Sequence, residues 1–195
     1  MDRAQMRQWA LARREAIVPE VRRAWDAAIW QGVKEILSTL PAAQPWIGGY
    51  WAVRAEPDVL TPLAAWTARR GMGLALPAAL QKAVPLVFRP WSPGAPMTRD
   101  VFGLPVPAGE EDVWPAVLLV PLVAFDAAGY RIGYGGGFYD RTLAAYRAAG
   151  RPVTAIGVGY ECTRLPDTHP GVHDLPMDWI VTEAGAFQPA ARKRA

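Results

Sequence analysis

Residues 120–126 (VPLVAFD) and 129–141 (GYRIGYGGGFYDR) predict an apolar strand, a turn, a glycine-rich loop and then a helix. Glycine lets backbone amides approach a ligand closely and permits positive φ angles. The helix that follows directs its unpaired N–H groups and the positive end of its dipole back into the loop. This arrangement suits an anion, most often phosphate, and Arg131 and Asp140 add a cation for phosphate and a carboxylate for a metal. A nucleotide-type ligand is therefore the first hypothesis.

The same pattern has a structural alternative, which is a tight turn that joins a buried strand to a helix. Two generic nucleotide motifs are excluded. The loop lacks the G-K-[ST] ending of a Walker A motif. It also lies too late in the chain to be followed by the βαβ unit and the acidic ribose contact of a dinucleotide-binding fingerprint.

Length and composition predict one globular domain over residues 1–195. The chain is 51% hydrophobic and 20% charged, which excludes a disordered protein, and 195 residues are enough for a sizeable core. The formal charge is +3, with basic residues concentrated near both ends. A nucleic-acid surface is one interpretation, but solvated helix faces and a flexible basic tail over residues 186–195 are favoured. The basic residues in question are Arg3, Arg7, Arg13, Arg14, Arg22, Arg23, Arg192, Lys193 and Arg194.

A cytoplasmic location is expected. The single cysteine, Cys162, has no partner for an internal disulfide, which fits a reducing compartment. The first residues are basic without an apolar segment behind them, and no apolar run approaches the roughly 20 residues that span a bilayer. The sequence thus indicates a soluble protein without a membrane partner.

Strands and helices alternate along the chain, which predicts an α/β domain with a largely parallel sheet flanked by helices, a Rossmann-like three-layer sandwich. Hydrophobic spacing predicts helices over residues 3–40 with a break near Pro19, over 61–70 and over 138–149. Residues 92–115 are rich in proline and glycine and are expected to form a surface loop. The predicted strands cover residues 45–53, 74–76, 85–91, 116–125, 153–160 and 179–181.

Residues 120–141 resemble the signature of the 5-formyltetrahydrofolate cyclo-ligase (methenyltetrahydrofolate synthetase) family, approximately V-P-x-x-A-F-D-x-x-G-x-R-L-G-x-G-G-G-Y-Y-D-R. Four further segments are similar to family motifs in the same order. Together they cover nearly the whole chain and are far more specific than the glycines alone. These segments are residues 3–7 (RAQMR), 56–58 (EPD), 102–107 (FGLPVP) and 173–183 (HDLPMDWIVTE).

The resemblance implies an enzyme that uses ATP and Mg²⁺ to convert 5-formyltetrahydrofolate to 5,10-methenyltetrahydrofolate, releasing ADP and phosphate. In that reaction the formyl oxygen is phosphorylated and the folate N10 then closes the ring. The implied partner is a small folate, which polyglutamylation can lengthen, and not a nucleic acid. The protein is expected to be a monomer. The implied catalytic residues are Arg131, Tyr139 and Asp140.

The resemblance also implies the binding residues. Asp140 and Asp174 occupy the metal positions. Substrate contacts fall at Trp51, Glu56 and Phe102, together with the loop residues Tyr134, Gly135, Gly136, Gly137 and Phe138. Nucleotide contacts fall at Arg3, Arg7, Arg131, Gly133, Tyr134, Gly135, Gly136, Gly137, Phe138 and Tyr139.

Structural alternatives stay open for several of these positions. Asp140 could be a first-turn acid that favours the helix dipole, and Asp174 could cap a turn. Arg3 and Arg7 could be solvated helix residues, and Phe102 an ordinary packing aromatic. Each alternative needs no ligand.

The chain departs from the family pattern in two places in the loop. Tyr134 stands where the family frequently has arginine or methionine, so one phosphate-facing charge is missing. Phe138 replaces the first of two tyrosines, which removes a hydroxyl that could contact a ligand. Elsewhere, Arg3 replaces a common lysine and Val106 an acidic residue.

Two other function classes compete with the cyclo-ligase. One is a non-catalytic module of the same fold that binds RNA through its arginine-rich ends, and such a module would show steeply salt-dependent binding. The other is a sugar-phosphate isomerase or CoA-transferase-like enzyme on a related sheet. That interpretation rests on fold analogy alone and needs no glycine loop.

Overall fold

A seven-stranded sheet forms the centre of the computed structural model, which describes residues 1–40 and 46–190. Its helices are α1 (Arg3–Glu15), α2 (Pro19–Thr39), α3 (Leu60–Ala68) and α4 (Phe138–Ala148). Its strands are β1 (Trp46–Gly48), β2 (Gly73–Ala78), β3 (Val87–Pro90), β4 (Met97–Arg99), β5 (Pro105–Pro107), β6 (Val117–Pro121), β7 (Ala124–Phe125), β8 (Arg131–Ile132), β9 (Thr154–Val158), β10 (Trp179–Thr182) and β11 (Gly185–Phe187).

The sheet has the order β11-β10-β9-β6-β1-β2-β3. The five inner strands run parallel, and only the edge strands β3 and β11 pair antiparallel. The central strand β6 is buried on both faces, as expected for the apolar run Val117–Pro121 inside a covered parallel sheet. The largely parallel α/β fold predicted from the sequence is confirmed.

Successive residues of β6 face opposite layers of helices. Leu119 belongs to a core cluster with side chains of α2 and α3, whereas Leu118 and Val120 belong to a second cluster with Leu143 of α4. This alternation follows from the two-residue period of a strand. The sheet is therefore the middle of three layers.

Two helix starts have clear local causes. Asp2 and Gln5 form a capping box at α1, in which each side chain accepts a hydrogen bond from the other residue's backbone N–H. Pro19 occupies the first position of α2, where its missing N–H costs no hydrogen bond. The predicted break near Pro19 is thus the boundary between two helices.

The predicted strand over residues 116–125 is split in two. The chain leaves β9 after Leu122, whose N–H still donates to the Val158 oxygen, and Val123 donates instead to Ile132. The second piece, β7, pairs with β8 in a small antiparallel hairpin. The split places the glycine loop beside the end of the central strand.

The predicted surface loop over residues 92–115 is wrong in part, because it contains the antiparallel hairpin β4–β5. Pro105 and Pro107 suggested a loop, but a two-stranded ladder leaves alternate N–H positions outside the pairing, where proline is tolerated. Of the tail predicted over 186–195, Ala186 and Phe187 lie in β11, and residues 191–195 lie outside the described residues. The first residue of the strand predicted over 45–53 also lies outside them.

Within residues 1–40 and 46–190, no helix combines the length and the apolar character needed to cross a membrane.

A substitution at Gly48, the last residue of β1, tests how tightly β1 packs beside β6. A Cβ added there would lie 2.6 Å from Leu118 Cδ2 and 2.9 Å from Phe88 Cε1, and both side chains are buried. We expect Gly48→Ala to lower the free energy of unfolding by about 1–3 kcal/mol because of this overpacking. Urea unfolding measures it. Gly109→Ala is the control, since its Cβ would meet nothing within 4 Å, and equal losses for both variants would contradict the prediction.

Candidate functional site

The glycine loop connects β8 to α4 and leaves the start of that helix open. Gly137 is the residue before α4 and has a left-handed conformation with φ of 63°, while Gly135 has φ of 99°. No side chain caps the helix through a hydrogen bond. A Cβ at Gly133 would meet nothing within 4 Å. The loop therefore presents accessible backbone beside the positive end of a helix dipole.

Arg7 of α1 reaches the loop from across the hairpin β7–β8. Its Nε donates to the Gly133 oxygen at 2.6 Å. A Cβ at Gly135 would lie 3.5 Å from Nη2 of the same guanidinium. The structure thus brings Arg7 and the glycines together, and a fixed cation stands beside the open helix end.

The buried Arg131 forms an ion pair with the partly buried Asp140. The distance from Arg131 Nη2 to Asp140 Oδ1 is 2.9 Å, and the two side chains are 6% and 18% exposed. Nη1 of the same guanidinium donates to the Leu175 oxygen. Both residues therefore already have partners, and a contact of Arg131 with phosphate stays a prediction.

Arg3 and Asp174 form a second, more exposed ion pair at 2.9 Å. Asp174 Oδ2 also accepts from the Gly171 N–H. The two predicted metal ligands come close in the fold, because Asp140 Oδ1 accepts from the N–H of Leu175, the residue after Asp174. Among the described residues, no group of three or more His, Cys, Asp or Glu side chains could hold a metal ion.

The predicted folate residue Glu56 lies against the loop. Its side chain is buried, Oε1 accepts from the Tyr134 hydroxyl at 2.8 Å, and Oε2 accepts from the Val53 N–H at 2.9 Å. Burial raises the pKa of this carboxyl above its usual value, and the two hydrogen bonds oppose that shift. Burial, followed by the nearby Glu56 charge, also raises the pKa of the Tyr139 hydroxyl.

Exposed aromatic rings lie near these groups. The Phe102 ring packs edge-to-face on Phe138 with centroids 5.3 Å apart. This contact brings the β4–β5 turn to the first residue of α4. Trp51 is half-exposed and meets Trp91 edge-to-face at 6.4 Å. Of the two, Phe102 has a described contact with the loop region.

Arg14 is a site residue that the sequence analysis did not single out. It is fully buried on α1, and its guanidinium donates to the Tyr134 hydroxyl at 2.7 Å. The helical spacing of the arginines could have indicated it, because Arg3, Arg7 and Arg14 are separated by four and seven residues. That spacing places them on one helix face.

A model described as the 5-formyltetrahydrofolate cyclo-ligase family matches residues 1–183. The chain is 31% identical over 186 residues to a 5-formyltetrahydrofolate cyclo-ligase of Mycolicibacterium smegmatis, covering 89% of this chain and 90% of that one. It is 35% identical over 97 residues to the protein of that name from Haemophilus influenzae, covering 47% of this chain. That match spans about half the relative, 51%.

Two solved structures share the fold. The 5,10-methenyltetrahydrofolate synthetase of Aquifex aeolicus has a TM-score of 0.77 and 26% identity, covering 100% of this chain and 96% of that one. The 5,10-methenyltetrahydrofolate synthetase of Mycoplasma pneumoniae has a TM-score of 0.73 and 21% identity, covering 94% and 99%. The architecture is therefore common to the three chains.

The Arg131–Asp140 pair can be tested through stability. Asp140→Asn leaves a buried guanidinium without its counter-charge, and we expect the free energy of unfolding to fall by about 3 kcal/mol. Denaturant unfolding measures the loss. Glu20→Gln breaks the exposed Arg23–Glu20 pair and should change stability by less than about 0.5 kcal/mol. A loss for Asp140→Asn as small as that of the control would contradict a buried pair.

Glu56 predicts a specific dependence of stability on pH. Its pKa in the folded protein is raised from the ordinary value of 4.5, so ionisation is harder in the folded than in the unfolded chain. Below pH 4.5 the carboxyl is protonated in both the folded and the unfolded chain, and its favourable contribution to folding is fully present. That contribution is lost as the pH rises through the pKa of the folded protein, because the buried carboxyl must then ionise. As the pH rises from 4.5 through the folded pKa, the free energy of unfolding of wild type should therefore fall relative to that of Glu56→Gln. Urea unfolding at a series of pH values measures this difference. A constant difference would contradict the raised pKa.

Proposed function

The chain belongs to the 5-formyltetrahydrofolate cyclo-ligase family, and we propose that it converts 5-formyltetrahydrofolate to 5,10-methenyltetrahydrofolate with consumption of ATP in the presence of Mg²⁺. The products besides the methenyl compound are ADP and phosphate. The observation that carries the proposal is an uncapped helix start, a glycine loop and the Arg7 guanidinium together beside the buried Glu56 carboxylate.

The loop suits the phosphates of ATP. Backbone N–H groups at the start of α4 have no side-chain cap, and the space at Gly133 is open. Phosphate accepts several hydrogen bonds and favours the positive end of a helix. Arg7 would add a charge-assisted hydrogen bond, and Arg3 would contribute positive charge from the same helix.

Asp140 and Asp174 suit Mg²⁺. This ion is usually held by one or two carboxylates together with phosphate oxygens and water, so a larger cluster of protein ligands is not required. When bound it would neutralise charge on the phosphoryl oxygens. The paired arginines Arg131 and Arg3 hold the two carboxylates in place.

The folate would lie on the Glu56 side of the loop. A buried carboxylate can accept hydrogen bonds from the N–H donors of a pterin ring, and Tyr134 and the Val53 N–H orient this one. Trp51 and Phe102 offer exposed aromatic surface for the ring system. Folate and nucleotide would thereby approach each other across Tyr134.

The chemistry needs positioning and charge neutralisation. An N-formyl oxygen is a poor leaving group, so it first attacks the γ-phosphate, forming an O–P bond while ADP leaves. N10 then attacks the activated carbon, the C–O bond breaks, phosphate departs and the N10 proton is lost. Arg7 and the loop amides would hold the phosphoryl oxygens, and Glu56 would hold the pterin in line. Tyr139 is partly buried against the core cluster that contains Leu143, and it would support α4 at Asp140.

Turnover tests the proposal directly. Purified protein with Mg²⁺, ATP and 5-formyltetrahydrofolate should form a methenyl product, followed by its near-ultraviolet absorbance, with one phosphate released per product. Arg7→Ala should lower kcat/KM by about 10- to 100-fold, the loss expected for a charged hydrogen bond.

Arg13→Ala is the matched control, because Arg13 lies on the same helix but donates to the Cys162 oxygen. It should keep wild-type turnover. Absence of product with wild-type protein would contradict the proposed function. Equal losses for Arg7→Ala and Arg13→Ala would contradict the role of Arg7.

A further inference from the structure

A chain of hydrogen bonds links α1, the glycine loop and Glu56. Arg14 Nη2 donates to the Tyr134 hydroxyl at 2.7 Å, and that hydroxyl donates to Glu56 Oε1 at 2.8 Å. The Arg14 guanidinium carbon also lies 5.9 Å from the centroid of the Tyr134 ring. The hydroxyl is thus held from both sides by charged groups.

Arg14 also holds the backbone on either side of this chain. Its Nε donates to the Arg54 oxygen at 3.0 Å and its Nη1 to the Leu122 oxygen at 3.1 Å. Arg54 and Ala55 have φ of 48° and 58°, a conformation that non-glycine residues rarely adopt. The turn that carries Glu56 is therefore strained, and Arg14 is one of its restraints.

Glu15 restrains the same turn from outside. It pairs with the Arg54 guanidinium at 2.7 Å. Within the turn, the Glu56 N–H donates to the Val53 oxygen, and the Val53 N–H donates back to the Glu56 carboxylate. The carboxylate's position is set by the turn on one side and by Tyr134 on the other.

Tyr134 differs from Arg14 because it belongs to the ligand-facing loop. It stands between Gly133 and Gly135, and the residue is 45% exposed. The glycines on both sides carry no Cβ, so a ligand can approach the backbone closely at this point. A ligand held by the loop backbone would therefore act directly on the residue whose hydroxyl donates to Glu56.

We infer that Tyr134 and Arg14 are positioning residues that couple occupancy of the glycine loop by a nucleoside triphosphate to the binding of a folate at Glu56. The inference rests on the proposed function. A phosphate on the loop would further restrain the backbone of Tyr134, which would strengthen the existing Arg14–Tyr134–Glu56 hydrogen bonds, and the folate would meet a more rigidly preorganised acceptor. By linkage, the folate strengthens nucleotide binding by the same factor. The tyrosine that departs from the family pattern thereby acquires a function.

Calorimetric titration tests the coupling. The Kd of 5-formyltetrahydrofolate is measured with and without Mg²⁺ and a non-hydrolysable ATP analogue. Wild type should bind the folate at least about fivefold more tightly when the analogue is present, the lower end of ordinary coupling. Tyr134→Phe should reduce that factor to less than about twofold while keeping the fold.

Arg14→Lys, which keeps the charge but loses the fork of donors, should reduce the factor as well. Because Arg14 is fully buried, Tyr134→Phe at the exposed loop decides the question if the lysine variant does not fold. Tyr146→Phe is the matched control. The Tyr146 hydroxyl is buried without a hydrogen-bond partner among the described residues, so its loss should leave the wild-type factor intact.

The outcomes separate the two proposals. If wild type turns the substrate over but its folate affinity is independent of the nucleotide, the inference is wrong and the proposed function stands. The same conclusion follows if Tyr134→Phe keeps the wild-type factor. Absence of turnover by wild type overturns the proposed function, and the inference with it.

Discussion

The site depends on the packing of α1 across the hairpin β7–β8. Met6, Ala10 and Leu11 of the helix are in one buried cluster with Ala124 and Ile132 of that hairpin. This contact fixes the position of α1 relative to the hairpin. The arginines on the adjoining face then reach backbone oxygens and side chains of the loops that leave the sheet. Without this apolar contact, three guanidinium groups would have no fixed relation to the glycine loop.

Two of the buried charges are compensated in different ways. Arg131 has an ion-pair partner, Asp140, and a backbone carbonyl. Arg14 donates hydrogen bonds to two backbone oxygens and to the Tyr134 hydroxyl. That hydroxyl donates in turn to the Glu56 carboxylate. A buried charge is tolerated when its hydrogen-bonding capacity is satisfied. The site is consequently a network in which each charged group constrains its neighbours.

Asp126, which belongs to the signature of the loop region, has a structural role in this chain. Its carboxylate accepts from the N–H groups of Ala128 and Tyr130, and from the N–H and hydroxyl of Thr168. It thus closes the turn that leads into β8. It also holds Thr168 in the segment whose backbone oxygens accept hydrogen bonds from Arg3. Asp126 thus shapes the site by fixing the loops around it.

Local patterns in the sequence determined the parallel α/β fold and the helix after the glycine loop, because hydrophobic periodicity and glycine positions involve residues close together in the chain. The family followed from the resemblance of the motifs over residues 3–183. That resemblance also implied Arg7 as a nucleotide contact, and the structure places its guanidinium against the glycine loop. Only the tertiary structure decided that Arg131 faces Asp140, that the apolar strand divides after Pro121, and that Arg14 meets Glu56 through Tyr134. The partner of a charged side chain depends on which distant segments exclude water around it, and that is a property of packing rather than of sequence spacing.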